Sequence, residues 1–291
     1  MATNDELRSA LGKIGIWMPP PAAAGVDPAG FGREIEQAGF RSVWFPGVND
    51  PTSFEYIEHI LAGTAGLIVG TGIASVWTWE PKDLAARTDQ LASAYPGRFI
   101  LGLGVSHAPA VEATGQAYVR PLAKMREFLD ELAPAAPAAP VVLAALGPKM
   151  LELSRDRTAG AHPYFAPPEH TKFAREVLGA EPLLIPEIAV ALAEGAEGLD
   201  HARAYARFYL ELPNYTNNLK KFGFTAADID NGGSQRLINA VVPNGPQPAV
   251  ARIREHLDAG ADHVLVQLVG EDGKFAAGDL GQLASLLRDL L

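Results

Sequence analysis

The chain contains no cysteine, which excludes a disulfide framework and any thiolate metal site. It is poor in basic residues: 24 lysines and arginines face 34 acids, leaving a net charge of −10. With no basic cluster, it offers no electrostatic footprint for nucleic acid or an anionic membrane surface. No run of 18 apolar residues occurs, and the first residues lack the apolar core of a signal peptide. These absences predict a soluble, cytoplasmic protein acting on a small molecule. Two sequence signatures are also missing. There is no HExxH or clustered Asp/Glu/His pattern for a metal, and no GxSxG for a nucleophile elbow.

What is present is core-forming material. The 291 residues are 48% hydrophobic, enough to bury one large core, and residues 1–291 are expected to form a single domain. The chain alternates short apolar runs with helical periodicity. Strands are expected at Lys13–Trp17, Ser42–Phe45, Leu67–Ala74, Arg98–Gly104, Val141–Ala145, Thr158–Pro163, Ile185–Leu192 and His263–Leu268. The first is closed by the prolines 19–21. A proline- and alanine-bearing connector spans 134–140. Asp27-Pro28 caps the first expected helix and Gly39 stops it. Others are expected from Phe54, Pro81, Pro121, Gly147-Pro148, Glu169 and Pro246, and over the leucines 283, 286, 287 and 290. Some 70 residues separate the seventh and eighth strands. This helical insertion, about 193–250, carries helices near 199–211, 214–222 and 225–230. Eight strand–helix units and the recurring Ala-Gly turns at Ala38-Gly39, Ala159-Gly160 and Ala259-Gly260 predict a (β/α)8 TIM barrel.

In such a barrel the C-terminal ends of the strands form the active face. The stretch Arg98–His107 is the one on which the chemistry centres: its glycines 102 and 104 permit close approach, and Ser106 and His107 stand at the rim. His263 begins its strand and is expected on the structural bottom face. His59, His170, His201 and His256 fall on or beside helices and read as ordinary surface or core histidines. Gly70-Thr-Gly72 lies inside a strand, without the spacing of a dinucleotide fingerprint. The rim thus supplies glycine, small residues, proline and tryptophan, a surface suited to a planar cofactor that brings its own reactivity.

The run Tyr95-Pro-Gly-Arg-Phe-Ile-Leu-Gly-Leu-Gly-Val-Ser-His107 resembles the bacterial luciferase-like oxidoreductase superfamily, in particular its branch using the deazaflavin coenzyme F420. Supporting it are Val69-Gly-Thr-Gly-Ile73, Leu143–Met150, Ala159–Tyr164, Glu169-His-Thr171, Leu212-Pro-Asn-Tyr215 and Ala259–His263. The resemblance implies hydride transfer between F420 and a small organic substrate. An FMN-dependent monooxygenase or a non-catalytic cofactor-binding barrel is the alternative. It further implies that Ser75-Val76 forms a non-proline cis peptide behind the deazaflavin ring. Thr78 would meet the ring, with Gly104, Val105 and Ser106 giving backbone contacts. Gly160, Ala161 and His162 would lie near the phosphate side. His107, where some relatives carry glutamate, would exchange the proton, while Trp17, Trp77, Trp79 and Tyr215 would wall the substrate pocket. Several relatives carry an acidic residue or an aspartate–histidine pair where this chain has Pro46-Gly47. Members of that superfamily are often dimers, and no apolar stripe in this sequence isolates an interface.

Overall fold

In the computed structural model, residues 3–19, 27–135 and 138–291 are described. Prolines 20 and 21 and part of the 134–140 connector lie outside them.

Eight parallel strands form the barrel. In order they are Ile14–Trp17, Ser42–Phe45, Ile68–Thr71 continued by Ala74–Ser75, Phe99–Gly104, Val141–Leu143, Gly160–Ala161, Leu183–Leu184 continued by Glu187–Val190, and Val264–Leu268. The third and seventh strands are each interrupted. Neighbours follow sequence order, and the first strand pairs with the eighth. The seventh strand closes the circle. Its first half pairs with strand six and its second with strand eight, and the Ile185 N–H donates to Ala161 O while the Leu265 N–H donates to Pro186 O. Because the strands are buried on both faces, they read as nearly continuous apolar runs rather than alternations.

Proline placement accounts for many helix starts. It stands at the first position of the helices Pro28–Gln37, Pro51–Gly63, Pro81–Ala94, Pro121–Leu132, Pro148–Arg157, Pro168–Leu178, Pro213–Lys221 and Pro246–Asp258. There the missing N–H costs nothing, and the fixed φ suits the helix. This moves two starts earlier than apolar periodicity predicts, to Pro51 with its Asp50 cap and to Pro168. The insertion also carries Gly195–Leu210, Ala226–Ile229 and an unexpected helix, Gln235–Val241, capped by Ser234. Its apolar residues Leu212, Tyr215, Leu219, Leu237 and Val241 pack with Phe165 and Ala191, which sets the insertion over the C-terminal face.

The opposite mouth is plugged by a further helix, Asn4–Leu11, with a Thr3/Glu6 capping box. It buries Leu7 and Leu11 among the interior residues Trp44, Ile100 and Leu265. Asp262 staples it there, accepting from Arg8 Nε at 2.9 Å, Arg175 Nη2 at 2.7 Å and the Leu184 N–H at 2.8 Å. Asp262 is only 17% exposed at its side chain, so removing it takes the shared carboxylate from two part-buried guanidinium groups, which keep their carbonyl acceptors. Asp262→Ala should lower stability by about 2–3 kcal/mol, a buried-pair loss discounted for partial solvation. Urea unfolding with an unchanged m-value is the check. His263, as expected, lies at this end: its Nδ1–H donates to Gly12 O at 3.0 Å and its Nε2 accepts from Ser42 Oγ at 2.7 Å.

Candidate functional site at the C-terminal face

The glycines of the fourth strand shape the site. A β-carbon on Gly102 would land on the Thr71 carbonyl oxygen, and one on Gly104 would lie 2.6 Å from Ile73 Cγ1. Thr71 Oγ1 also bridges Gly102, donating to its carbonyl and accepting from its N–H, both at 2.8 Å. The third strand is thereby pulled out of regular pairing after Thr71, and it resumes at Ala74 opposite Leu103. The break places Gly72 and Ile73 at the barrel mouth, and the non-proline cis peptide is Gly72–Ile73. This corrects the expectation of such a bond at Ser75-Val76. Those residues have regular backbone beside strand four, and Val76 is buried in the layer between sheet and helices.

Above Gly72 opens a cavity of about 410 Å³, within the range of small-molecule sites. Its wall is mostly apolar and aromatic, with Trp17, Ile73, Met150, Tyr164, Tyr209 and Tyr215 prominent. Of the residues singled out in the sequence, Trp17, Val105, Ser106, His107, His162 and Tyr215 line it. Gly104, Gly160 and Ala161 lie in the sheet below. Ser75, Val76, Thr78, Trp77 and Trp79 are not among the lining residues. Asn49 Oδ1 accepts from the Ser75 N–H and the Thr78 hydroxyl. Trp79 donates to Val48 O and Trp77 to Val105 O, so both indoles brace loops from behind. Pro46 lines the cavity, while Gly47 leaves open space around its α-carbon.

Among the described residues, two polar atoms at the floor have no protein partner. His162 is 1% exposed. Its Nδ1–H donates to Ile185 O at 2.7 Å, which fixes the tautomer and leaves Nε2 a bare acceptor. Desolvation lowers its pKa to about 4, so it is neutral. Trp17 Nε1, a donor, is also unpartnered. Both atoms converge on Gly72: a β-carbon there would sit 2.6 Å from Trp17 Nε1 and 3.3 Å from His162 Nε2. A buried unsatisfied donor and acceptor side by side are costly unless a ligand completes them.

Higher in the cavity, Ser106 takes a left-handed conformation (φ 55°) that turns the chain out of strand four. The His107 ring then packs 5.4 Å from that of Tyr215. Among the described residues His107 Nδ1 has no partner, and burial lowers the pKa of the ring. At neutral pH the ring is uncharged, with one N–H and one lone pair to offer a ligand. Among the described residues, no arginine or lysine lines the cavity.

Sequence reasoning missed the polar cluster beside this wall. Tyr164 OH lies 2.7 Å from Tyr205 OH, 2.8 Å from Tyr209 OH and 3.0 Å from Gln267 Oε1. Tyr205 OH also lies 3.0 Å from Gln267 Oε1 and 3.4 Å from Glu187 Oε1, so its single proton has two acceptors within reach. The available signal was Glu187 itself, a lone acid inside the apolar run Ile185–Val190.

An eight-stranded parallel barrel with an aromatic pocket at its C-terminal face, roofed by an insertion before the last strand, defines a class of small-molecule barrel proteins. Within that class, residues 27–135 match the model of the luciferase-like monooxygenase family, and the resemblance read from the sequence holds. The chain is 27% identical over 156 residues to a 5,10-methylenetetrahydromethanopterin reductase of Methanolobus tindarius. That match covers 45% of this chain and 48% of the relative, about half its length. Its structure is similar to that of a coenzyme F420-dependent tetrahydromethanopterin reductase from Methanopyrus kandleri, with TM-score 0.72 and 16% identity over 97% of this chain and 99% of that one. It is also similar to the oxygenating constituent of 3,6-diketocamphane monooxygenase from Pseudomonas putida, in complex with FMN. There the TM-score is 0.70, with 14% identity over 96% and 98% of the two chains.

Proposed function

We propose that the chain is an F420-dependent oxidoreductase that transfers a hydride between the deazaflavin and a small apolar substrate. The observation that carries this is the pocket floor. The Trp17 N–H and the bare His162 Nε2 present a donor and an acceptor together, the complement of a ring edge carrying adjacent C=O and N–H groups, such as the pyrimidinedione edge of a deazaflavin. Gly72, Ala144, Ala145 and Gly147 leave room for a flat ring. When bound, F420 supplies a two-electron hydride donor or acceptor. FMN has the same pyrimidinedione edge, and the FMN-bound monooxygenase neighbour makes it the second reading. The F420-dependent reductase neighbour and the reductase relative favour the first.

With no lining cation among the described residues, the tail phosphate of either cofactor would rely on backbone N–H groups, such as those at the start of the Pro148–Arg157 helix, where Gly147 and Met150 line the cavity. His107, neutral and near the cavity mouth, accepts a hydrogen bond from the substrate and orients it. His107→Ala should therefore raise KM about tenfold and change kcat less, the loss of one buried hydrogen bond.

Titration of tryptophan fluorescence with F420 and, separately, FMN tests the reading. Micromolar binding of F420 with weaker FMN binding is expected. Preference for FMN moves the chemistry to oxygen activation, and binding of neither ends the redox reading.

A further inference from the structure

The interior layers of a parallel barrel are ordinarily filled by branched apolar side chains. Strand seven instead points Glu187 inward, 1% exposed. Among the described residues its Oε2 has no partner and no ion pair includes it. A carboxyl in that position is stable as the neutral acid, because the anion would lack both water and a counter-charge. Among the described residues its one side-chain hydrogen-bond partner is the Tyr205 hydroxyl, and from there oxygens succeed one another at hydrogen-bond distance through Tyr164 to Tyr209. Tyr164 and Tyr209 both line the cavity, and Tyr164 is the one partner of Tyr209 OH among the described residues.

We propose that Glu187 stores the proton for the reaction and that Tyr205, Tyr164 and Tyr209 carry it to the carbonyl oxygen of a small apolar ketone. The proposal rests on the hydride-transfer reading. A C–H bond forms at the carbonyl carbon with the two electrons of the hydride, and the C=O π pair moves to oxygen. The Tyr209 O–H bond breaks as the alcohol O–H forms. Tyr209 is reprotonated by Tyr164, Tyr164 by Tyr205 and Tyr205 by Glu187, which ends as the carboxylate. The deazaflavin is oxidised by two electrons and the ketone reduced by two. Alcohol oxidation runs the same chain backwards, and each hydroxyl donates and accepts one proton per transfer.

The surroundings suit a proton held until needed. Desolvation raises the Glu187 pKa to about 8, against the smaller opposing effects of hydrogen bonds from the Phe165 backbone and Tyr205. The titratable groups facing it are tyrosines: Tyr164 after strand six, Tyr205 and Tyr209 on Gly195–Leu210, and Tyr215 on Pro213–Lys221. Each is raised, first by burial. Gln267 on strand eight carries no charge, and no arginine, lysine or histidine is among the groups that shift Glu187.

The test begins without cofactor. Infrared difference spectra of the protein against Glu187→Gln should show a protonated-carboxyl C=O band that titrates near pH 8 and is missing from the variant. With F420 binding first confirmed by tryptophan quenching, reduction of cyclohexanone should lose about 100-fold in kcat in Glu187→Gln, the size of a lost proton transfer. Cofactor affinity and KM should hold, and the alkaline limb of the pH profile should vanish. Tyr205→Phe should give the same kinetic loss while retaining the carboxyl band, and it decides the matter should Glu187→Gln not fold. A missing band at pH 7 overturns the proposal, as does unchanged kcat in both variants or no turnover of cyclohexanone with F420 bound. If neither F420 nor FMN binds, the hydride-transfer reading fails first and the relay falls with it.

Discussion

Stability should fall by about 4–5 kcal/mol between pH 7 and pH 5, enough to unfold much of a protein whose total is of order 5–15 kcal/mol. Four buried histidines drive the loss. Desolvation lowers His162, His170 and His263 to about 4 and His256 to about 3, from an ordinary value of 6.5. The folded-state pKa lies below the unfolded one, so their contribution is complete above 6.5 and is lost as pH falls toward 4. Each group costs about 2 kcal/mol by pH 5. Glu187 opposes them. Its folded pKa of about 8 lies above the ordinary 4.5, so its contribution is complete below 4.5 and disappears as pH rises through 8. Acidification from pH 7 to 5 therefore restores about 2–3 kcal/mol. Near pH 5.5 the net result is uptake of between two and three protons on unfolding, by linkage. Urea midpoints measured in steps from pH 7 to 5 give that number as the slope of stability against pH. Glu187→Gln should steepen the slope by about one proton. A slope corresponding to one proton or fewer would mean that these imidazoles can charge within the fold.

The histidines also show what the sequence makes legible. His263 reads as structural from its place at the start of a strand, and it bonds Ser42 and Gly12 at the bottom of the barrel. The strand–helix alternation and two of the three Ala-Gly turns give the barrel, because each follows from local periodicity or from a turn that needs glycine, whereas Gly160 lies within strand six and not at positive φ. Gly39 and Gly260 have φ values of 99° and 102°. The break in strand three is not local. It arises where Thr71 meets Gly102 across two strands, so placing the cis bond from the resemblance along strand three alone puts it three residues late. Glu187 and the tyrosines have the same difficulty. Tyr205 and Tyr209 are spaced like any buried helix face, and only the closed barrel brings them against strand seven. Helix Asn4–Leu11 is not among the expected elements, although its signal is local: Thr3 and Glu6 form a capping box.

Gly72→Ala should abolish cofactor binding, by at least about 100-fold in Kd, while leaving a folded barrel. Gly72 is not held at positive φ, so alanine's backbone is tolerated. What changes is the floor. The new methyl carbon would stand 2.6 Å from Trp17 Nε1 and 3.3 Å from His162 Nε2, between the two atoms and whatever they bind. Trp17 must shift to admit it, and overpacking of this kind costs about 1–3 kcal/mol, visible as a modest drop in urea midpoint. The loss of binding is larger because it has two parts: the methyl fills space the ring needs, and it leaves the buried donor and acceptor unable to reach the ligand's edge. Trp17→Phe separates these parts. It removes the donor and keeps the space, so it should weaken binding only about tenfold, one hydrogen bond's worth. Equal losses in the two variants would show that the donor matters more than the space. Full binding by Gly72→Ala would place the ring elsewhere in the cavity and remove the floor as its recognition edge.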